Sequence, residues 1–471
     1  MNNIKTRFAP SPTGALHIGS IRTALFSWLY SKQNNGKFVL RIDDTDHDRT
    51  FDQLVNNITD TMKWLNLNWD EGPYYQSKRF KRYNTIIEDM LAKGTAYRCF
   101  CSTERLKSLR EKQIIYGEKP RYDGYCRNNG NKNSNLMPHV IRFRNPQTGY
   151  VIFNDYIRGM IKFDNTELDD VIIKRVDGTP TYNFCAVIDD WDMNITHVIR
   201  GEEHINNTPR QINILTSLGA PIPTYAHVSM ILEHDGKKMS KRHEAINVMQ
   251  YFYDGYLPEA ILNYIIRLGW GYANKEIFSL PEMIKLFSLK KVTKSASIFD
   301  IQKLQWYNYH YMNSLSPNYV GKELTKHMEI KDFNLNYGPN ITDIVKLYRT
   351  RCKTLKEMAT LSHYFYNDIN LSNNILAKQY LLPVIYYPLK VLLTQLKTIN
   401  QWSLESIKYM IKSIVTQFVI NLKLFYMALR ISLTGIEITP NLSEIIYILG
   451  PKYTLKRIEC ALIYIKNINS K

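Results

Sequence analysis

The sequence contains few cysteines and no long apolar run, and each shortage excludes a class of protein. Only 6 of its 471 residues are cysteine, too few for a disulfide framework in a chain this long, so we expect a reducing cytoplasm. The most apolar stretch, residues 414–433, is interrupted by polar and charged side chains, so we expect no membrane span. Lys5 and Arg7 lie near the N-terminus without an apolar signal core, which argues against a secretory route.

Acidic residues are also scarce. The sequence contains 43 of them and 61 lysines and arginines, which gives a net charge of +18. Such an excess favours a polyanionic partner such as RNA. However, the chain is rich in Lys, Asn, Ile and Tyr, as expected of a gene that drifts toward A+T-rich codons. That drift raises basicity without a functional cause. Charge alone therefore leaves both interpretations open.

The length of 471 residues and a hydrophobic content of 44% fit a globular protein of about three domains. Apolar periodicity predicts strands at 4–8 and 37–43, and helices at 21–32 and 50–66. Alternating strands and helices predict a parallel sheet with helices on its faces, a Rossmann-type α/β domain. Ligands bind at the carboxyl ends of such strands, where residues 10–20 and 43–46 would lie.

The remainder of the chain follows two other patterns. Residues 81–185 combine a helix at 82–93 with short strands near 151–153 and 171–175, which predicts an inserted α+β domain before the α/β pattern resumes. Beyond Gly255 the pattern predicts only helices, at 258–268, 280–286, 341–361, 388–397 and 404–421. The predicted fold is therefore a Rossmann-type α/β domain with an inserted α+β domain, followed by an all-α C-terminal region.

A loop rich in proline and glycine follows the first predicted strand and leads into a helix that begins near Gly19. A helix N-terminus attracts anions, because its free backbone N–H groups and the positive end of its dipole point outward. Gly19 would let a nucleotide approach the backbone closely, and His17 can donate to a phosphate. Alone, such a loop is more often plain turn chemistry.

A second motif, Lys238-Met239-Ser240-Lys241-Arg242, places two lysines around a serine. These lysines are suited to neutralising a departing pyrophosphate, although a lysine-rich pentamer alone is usually a solvated surface loop. The occurrence of both motifs, in this order, favours a nucleotide-binding enzyme. Together they resemble the HIGH and KMSKS signatures of class I aminoacyl-tRNA synthetases.

Further strings extend this resemblance to the whole chain, which is similar to bacterial glutamyl-tRNA synthetases. They include residues 43–46, 69–77, 119–124, 180–184, 189–191, 200–204, 206–211 and 294–297. The resemblance implies a Rossmann catalytic domain at 1–80 and 186–250, an acceptor-stem-binding insertion at 81–185, a stem-contact region at 251–325 and a helical anticodon-binding region at 326–471. It also implies a cytoplasmic monomer whose partners are tRNA(Glu), ATP and L-glutamate.

The implied reaction joins glutamate to ATP and then esterifies the tRNA. Arg7 and Arg200 are the expected carboxylate-binding cations, because a guanidinium forks onto a carboxylate. By resemblance, the glutamate-binding positions are Arg7, Ala9, Ser11, Asp43, Tyr182 and Arg200, with Asp43 on the α-ammonium. The ATP-binding positions are Pro10, Ser11, Thr13, His17, Gly19, Ser20 and Lys241, and Mg²⁺ is expected with ATP. The catalytic positions are His17, Gly19, Lys238, Ser240 and Lys241, and no residue is assigned as a general base.

The chain departs from the family's usual residues at three positions outside the cysteine motif. Asp43 replaces a glutamate, which shortens the side chain by one methylene, and Ala428 replaces a proline. Glu244 replaces a glycine, so the lysine loop must relax if that position needs a positive φ. None of these changes removes a charged catalytic group.

A cysteine motif raises the question of zinc. Cys99, Cys101 and Cys126 match three of the four ligands of zinc-containing relatives, but Asn128 replaces the usual histidine. Zinc takes four N or S ligands and asparagine is a poor one, so the sequence favours free thiols without stable zinc. The alternative is a zinc site that Tyr122 completes, as a tyrosine does in a shorter relative.

Two other functions are weighed against glutamate charging. Glutaminyl-tRNA synthetases typically lack an arginine at the position of Arg200 and use a β-barrel anticodon domain, whereas this C-terminal region is predicted to be helical. A non-catalytic RNA-binding paralogue should lose its phosphate and pocket residues first, and those are present here. Glutamate–tRNA ligation is therefore the expected function.

Overall fold

The structure is a computed structural model that describes residues 4–12, 16–44, 51–129, 137–237, 247–418 and 420–469. The chain divides into two units, of which the first comprises Met1–Gln250 and Ile261–Ile301 and the second Tyr251–Ala260 and Gln302–Lys471. Among the described residues, no helix combines the length and the apolar character needed to cross a bilayer. The four-part domain division implied by resemblance stays a prediction.

In the first unit, strands and helices alternate over residues 5–75 and again over residues 182–228. They begin with β1 (Lys5–Phe8), α1 (Ile18–Gln33), β2 (Lys37–Ile42), α2 (Phe51–Trp64) and β3 (Glu71–Tyr75). Next come α3 (Phe80–Ala92), β4 (Ala96–Cys99), α4 (Thr103–Ile115), α5 (Tyr125–Asn129), β5 (Val140–Phe143), β6 (Tyr150–Asp155), β7 (Gly159–Asp164) and β8 (Ile172–Lys174). The alternation then resumes with α6 (Tyr182–Asp192), β9 (His197–Gly201), α7 (Thr208–Leu218), β10 (Thr224–Val228) and β11 (Ile231–Leu232).

Helices dominate the rest of the chain. They are α8 (Val248–Tyr253), α9 (Pro258–Arg267), α10 (Leu280–Leu286), then, after strand β12 (Ser297–Ile298), α11 (Ile301–Ser314), α12 (Pro317–Ile330), α13 (Ile341–Tyr348), α14 (Leu355–Leu361), α15 (Ile375–Tyr380), α16 (Tyr386–Lys397), α17 (Leu404–Phe418), α18 (Leu422–Thr434) and α19 (Leu442–Asn469). Short 3₁₀ helices lie at Gln76–Arg79, Asn165–Glu167, Glu202–Asn207, Leu289–Lys291, His363–Phe365 and Pro383–Ile385. Gly450, with φ 73°, interrupts α19.

A five-stranded parallel sheet forms the centre of the first unit, in the order β10-β9-β1-β2-β3. Helix α1 buries an apolar stripe that includes Ile21, Leu25 and Leu29, and it contacts β1, β2 and β9. This arrangement confirms the predicted parallel α/β domain. Because β1 and β9 are neighbours, the loops that follow their carboxyl ends lie side by side.

The middle of the first unit contains antiparallel strands, in accordance with the predicted α+β insertion. Strands β4, β5 and β8 form one sheet, and β6 pairs with β7 in a hairpin. Residues of α3 and this sheet, among them Tyr83 and Phe143, share an apolar cluster with Phe184 and Ile188 of α6. That cluster joins the insertion to the parallel-sheet domain.

In the described residues of the second unit, every regular element is a helix, as predicted. Helix α17, for example, buries Ile407, Ile411 and Ile414, which share one face of a 3.6-residue period. The single helix predicted at 341–361 was wrong: α13 ends at Tyr348, and the hydroxyl of Thr354 caps a new helix by accepting from the Glu357 amide at 3.2 Å.

The sequence prediction of only helices beyond Gly255 was also wrong at one place in the first unit. Strand β12 pairs in parallel with β11, in the register Ile231 with Ser297 and Leu232 with Ile298. A pair of two-residue strands has no periodicity that a sequence pattern can register.

Candidate active site

A cavity of about 470 Å³ opens where β1 and β9 end and α1 begins. Its wall includes nine of the residues that the sequence analysis assigned to glutamate or ATP: Arg7, Ala9, Pro10, Ser11, His17, Gly19, Ser20, Tyr182 and Arg200. This size suits a small-molecule ligand, and ligands of parallel α/β domains bind at the carboxyl ends of the strands, where this cavity lies. The structure therefore brings the predicted site residues of β1, α1, α6 and β9 together.

The N-terminus of α1 forms one side of the cavity. His17 is the N-cap residue, and its ring accepts a hydrogen bond from the Ser20 amide at 3.3 Å. A Cβ atom at Gly19 would lie 3.0 Å from the His17 ring, so a glycine there lets the ring fold over the first turn. The remaining free N–H groups of this helix end suit an anion such as a phosphate.

A buried ion-pair network holds Arg7 in the cavity wall. The Arg7 guanidinium donates to both carboxylate oxygens of Asp190, at 3.2 and 3.4 Å. Asp190 also accepts from Arg41 at 2.7 Å. Burial would raise the pKa of Asp190, but the charges of Arg7 and Arg41 outweigh burial and lower it. Arg7 thus already pairs with a carboxylate, that of Asp190, which it shares with Arg41.

Asp43 belongs to the same network and does not line the cavity. Its carboxylate accepts from Arg41 Nε at 2.7 Å, and its side chain is 1% exposed. Burial raises the pKa of Asp43 to about 6, against the opposing effect of Arg41. The predicted contact of Asp43 with the α-ammonium group of glutamate therefore stays a prediction.

Arg200 differs from Arg7 because no carboxylate of the described residues pairs with it. Its Nε donates to His227 Nε2 at 3.2 Å, and a terminal nitrogen donates to Thr208 Oγ1 at 2.8 Å. The Tyr225 ring lies 5.4 Å from the guanidinium carbon. Burial lowers the pKa of Arg200, yet a guanidinium remains charged at neutral pH. Arg200 therefore presents a positive charge that no carboxylate of the described segments pairs with.

Sequence reasoning did not assign the other lining residues of the cavity, among them Arg22, Glu203, His204 and Ser229. Glu203 and His204 belong to the family-like string at 200–204, so that string was the available signal. Arg22 Nε and Ser229 Oγ are buried without a hydrogen-bond partner among the described residues. Burial lowers the pKa of Arg22 to about 10, and Glu203 and Glu202 oppose that shift.

His204 extends the aromatic part of the wall. Its ring lies 6.0 Å from that of Tyr182, with the planes tilted by 38°. Burial and the charge of Arg200 lower the pKa of His204 to about 4, so its imidazole is neutral at physiological pH. The cavity therefore combines cationic guanidinium groups, neutral rings and a helix N-terminus, which suits an anionic ligand.

Part of the predicted site lies outside the described residues. This applies to Thr13 of the first loop, to Lys238, Ser240 and Lys241 of the lysine motif, and to Glu244. Ala428, the third departure from the family pattern, is fully buried in α18.

The three cysteines of the proposed zinc motif lie together in the insertion. The Sγ atoms of Cys99, Cys101 and Cys126 lie within 4.8 Å of one another. The Tyr122 hydroxyl lies 3.4 Å from Cys99 Sγ and 3.7 Å from Cys101 Sγ. Asn128 does not belong to this cluster, because its side-chain oxygen accepts from Arg144 at 3.5 Å. The arrangement thus brings three sulfur atoms together beside one hydroxyl oxygen, which also accepts from the Cys126 amide at 2.9 Å.

Comparisons with known proteins agree with this site. Residues 3–306 match the family described as tRNA synthetases class I (E and Q), catalytic domain, and residues 319–462 match the family described as anticodon binding domain. The glutamate tRNA ligase of Elizabethkingia meningosepticum CCUG26117, solved in complex with its amino acid, has a TM-score of 0.79 and 29% sequence identity. That alignment covers 98% of this chain and 100% of the other.

The glutamate-tRNA synthetase of Elizabethkingia anophelis has a TM-score of 0.75 and 29% identity, over 98% of this chain and all of the other. The match to the catalytic-domain family extends over more than half of the chain and includes every described residue of the cavity wall. The protein belongs to the class I tRNA synthetases of the E and Q type.

Proposed function

We propose that the protein is a glutamate–tRNA ligase, which activates L-glutamate with ATP and transfers it to the terminal adenosine of tRNA(Glu). The observation that carries this proposal is Arg200, a buried guanidinium on the cavity wall without a carboxylate partner among the described residues. A substrate carboxylate would supply that partner with bidentate geometry. Glutamate has such a group in its side chain, and glutamine does not.

The reaction proceeds in two displacements. An oxygen of the glutamate α-carboxylate attacks the α-phosphorus of ATP, and pyrophosphate leaves. A hydroxyl of the terminal adenosine then attacks the carbonyl carbon of glutamyl-adenylate, its proton is released, and AMP leaves. Neither step requires a covalent bond to the protein, so catalysis rests on positioning and charge stabilisation.

The described residues divide this work between the two sides of the cavity. The N-terminus of α1, with His17 and Gly19, supports the phosphates of ATP, which brings Mg²⁺ as its complex. Arg7, Tyr182 and Arg200 face the amino acid. The pyrophosphate-stabilising roles of Lys238 and Lys241 stay predictions from the sequence.

Glutaminyl-tRNA synthesis is the second candidate within the family, and two observations disfavour it. Arg200 would place an uncompensated charge opposite a neutral amide, which costs binding energy. The second unit contains only helices among its described elements, whereas the expected alternative is a β-barrel. The intact cavity likewise disfavours a non-catalytic paralogue.

The direct experiment is a charging assay with the purified protein, ATP, Mg²⁺ and unfractionated tRNA. Radiolabelled glutamate should enter acid-precipitable tRNA, and radiolabelled glutamine should not. Preferred charging with glutamine would overturn the assignment, and no charging with either would favour the non-catalytic paralogue. Separate purified pools of tRNA(Glu) and tRNA(Gln) would show whether the second tRNA also receives glutamate.

We propose further that Cys99, Cys101, Cys126 and Tyr122 hold a zinc ion. Tetrahedral zinc with Zn–S bonds near 2.3 Å separates its ligand atoms by about 3.7 Å. The Cys101 and Cys126 sulfur atoms are 3.5 Å apart, and the Tyr122 hydroxyl lies 3.4 and 3.7 Å from two of the sulfurs. This spacing supports the metal against the three free thiols that the sequence favoured. Bound zinc would link β4 and the residues that follow it to α5 and the turn before it.

Metal analysis of the purified protein tests this second proposal. We expect about one zinc per chain in the wild type and in Cys460→Ser, whose thiol is exposed and far from the motif in sequence. Cys101→Ser should lose the metal. Wild-type protein purified without chelators that holds no zinc would leave three thiols in an apolar cluster with Tyr97 and Leu106.

The cytoplasmic location and the monomeric state are also proposals. None of the six cysteines forms a disulfide, which supports a reducing compartment. Light scattering on the purified protein would measure its mass in solution.

A further inference from the structure

The bond that orients Arg200 comes from a neutral ring rather than from a carboxylate. Arg200 of β9 and His227 of β10 are register partners in parallel strands, so their side chains lie on the same face of the sheet. His227 is fully buried and accepts from Arg200 Nε at 3.2 Å through Nε2. A neutral acceptor can fix a guanidinium without neutralising its charge.

The donors around His227 determine where its ring carries the proton. Arg200 Nε can only donate, so Nε2 of His227 must be unprotonated. The proton is therefore on Nδ1, which lies 2.6 Å from Asp155 Oδ2. Asp155 is 2% exposed, and it has no arginine or lysine partner among the described residues. The result is a buried chain from Asp155 through His227 to Arg200.

Thr208 completes this assignment. Its hydroxyl oxygen accepts from Arg200 at 2.8 Å, and its own proton can reach the carbonyl oxygen of His204 at 3.2 Å. The hydroxyl also lies 3.0 Å from His227 Nε2, but Arg200 already occupies the one lone pair of that nitrogen. Every strong donor and acceptor in this series of hydrogen bonds thus has one consistent role.

The two oxygens of Asp155 have different tasks. Oδ1 accepts the amides of Ile157 and Arg158 at 3.0 and 2.9 Å, which shapes the turn between β6 and β7. Oδ2 accepts from the ring of His227 at 2.6 Å, and the His227 amide donates to both oxygens, at 3.1 Å to Oδ2 and 3.3 Å to Oδ1. An amide side chain would keep its oxygen on the two turn amides and present its NH₂ group to the ring.

We propose that Asp155 and His227 are positioning residues that give Arg200 its selectivity for the glutamate side-chain carboxylate. This inference rests on the proposed function. Asp155 fixes the ring tautomer, the ring fixes the guanidinium, and the negative charge stays one residue away from the cation. A carboxylate placed directly on Arg200 would instead cancel the charge that distinguishes glutamate from glutamine.

Asp155→Asn tests the chain of bonds with a nearly isosteric change. The amide NH₂ group faces Nδ1 and forces the proton onto Nε2, where it opposes the N–H of Arg200. We expect the KM for glutamate to rise about 10- to 100-fold, with the KM for ATP changed less than about threefold. The glutamate-over-glutamine ratio of kcat/KM should fall by a similar factor.

Asp164→Asn is the matched control, because Asp164 belongs to the same hairpin and caps its own turn at Thr166 without contact to the cavity. Its kinetic constants should equal those of the wild type. The inference would be overturned if the Asp155→Asn protein had the same unfolding transition as the wild type and also the same KM for glutamate. A purely structural effect, in which both KM values and kcat change together, would also overturn it.

A second pair of variants decides the matter if Asp155→Asn does not fold. The oxygen of His227→Gln can accept from Arg200, whereas His227→Leu offers no acceptor. We expect the KM for glutamate to be about tenfold higher in His227→Leu than in His227→Gln. Equal values would overturn the inference.

Nitrogen-15 NMR of histidine-labelled protein gives a readout that needs no substrate. The His227 resonances, identified by their loss in His227→Gln, should report a proton on Nδ1 in the wild type and on Nε2 in Asp155→Asn. A wild-type proton on Nε2 would contradict the bond pattern. Failure of the wild type to charge tRNA with glutamate would overturn the proposed function, whereas failure of the variants to differ would overturn this inference alone.

Discussion

Arg7 and Arg200 were both expected to bind a carboxylate of glutamate, but their surroundings are different. Arg7 shares Asp190 with Arg41, so a carboxylate already balances part of its charge. Arg200 donates to a ring nitrogen and a hydroxyl instead. Electrostatic attraction to a substrate carboxylate is strongest where the cation is buried and uncompensated. Arg200 is therefore the more sensitive of the two positions.

Replacing Arg200 with alanine should reduce kcat/KM for glutamate roughly 30- to 5,000-fold, which corresponds to a loss of about 2–5 kcal/mol of transition-state stabilisation. The reason is the loss of a bidentate partner for a desolvated carboxylate. Steady-state charging kinetics with varied glutamate would measure it, and the KM for ATP should stay nearly constant. Arg210→Ala is the control, because that arginine pairs with Asp169 outside the cavity wall. An unchanged kcat/KM for glutamate would show that the side-chain pocket lies elsewhere.

Lys241→Ala should slow the activation step more than it weakens substrate binding. Its positive charge is needed as pyrophosphate departs, and removal of one such donor typically costs about 10²–10³ in rate. Single-turnover charging with saturating ATP and glutamate measures this step. Because Lys241 lies outside the described residues, the prediction rests on the sequence alone. A wild-type rate would mean that the motif is an ordinary surface loop.

At the scale of elements, the second unit depends on a close backbone contact at the end of α8. Gly255 has φ 83°, and its carbonyl accepts from the Leu355 amide at 2.9 Å. A Cβ atom there would lie 2.2 Å from the Lys356 nitrogen and 2.7 Å from that of Leu355. The start of α14 thus packs directly on a residue that must be glycine.

Gly255→Ala should therefore lower the stability of the second unit. Gly94 also follows a helix with a positive φ, but a Cβ at that position meets nothing within 4 Å. In Gly94→Ala, the strain of a positive φ should lower the free energy of unfolding by about 1–2 kcal/mol. In Gly255→Ala, the backbone clash should lower it by roughly a further 1–3 kcal/mol. Calorimetric unfolding of both variants would compare them. Equal destabilisation would contradict the close contact.

At the scale of the whole molecule, the net charge of +18 has two explanations, RNA binding and compositional drift. The family match at residues 319–462 now favours a role of the helical region in reading an anticodon. Drift alone would produce affinity for any polyanion. Specific recognition requires contacts to particular bases, which charge cannot supply.

Binding of the full-length protein to tRNA(Glu) should weaken steeply as salt increases, because lysine and arginine contacts release counterions. Anticodon substitutions should weaken it further, by about 1–3 kcal/mol per lost base contact. Filter binding or fluorescence titration at several salt concentrations would separate the two effects. A variant tRNA with a scrambled T-loop sequence and an intact anticodon serves as the control. Equal affinity for tRNAs with unrelated anticodons would leave only nonspecific attraction.

The sequence by itself determined the α/β character and the first two strands and helices of the parallel-sheet domain, the helical C-terminal region and the family. These depend on periodicity and on motifs such as Pro10–Ser20, which are local along the chain. Boundaries failed where a side-chain cap intervened, as at Thr354, or where a strand was two residues long, as at Ser297–Ile298.

Only the tertiary structure decided which charges are compensated. Asp190 lies 183 residues from Arg7, and Asp155 lies 72 residues from His227, so neither pairing leaves a trace in local pattern. The same holds for the register that places His227 beside Arg200. Electrostatic interactions depend on distance and burial in space, and those quantities exist only once the strands have paired.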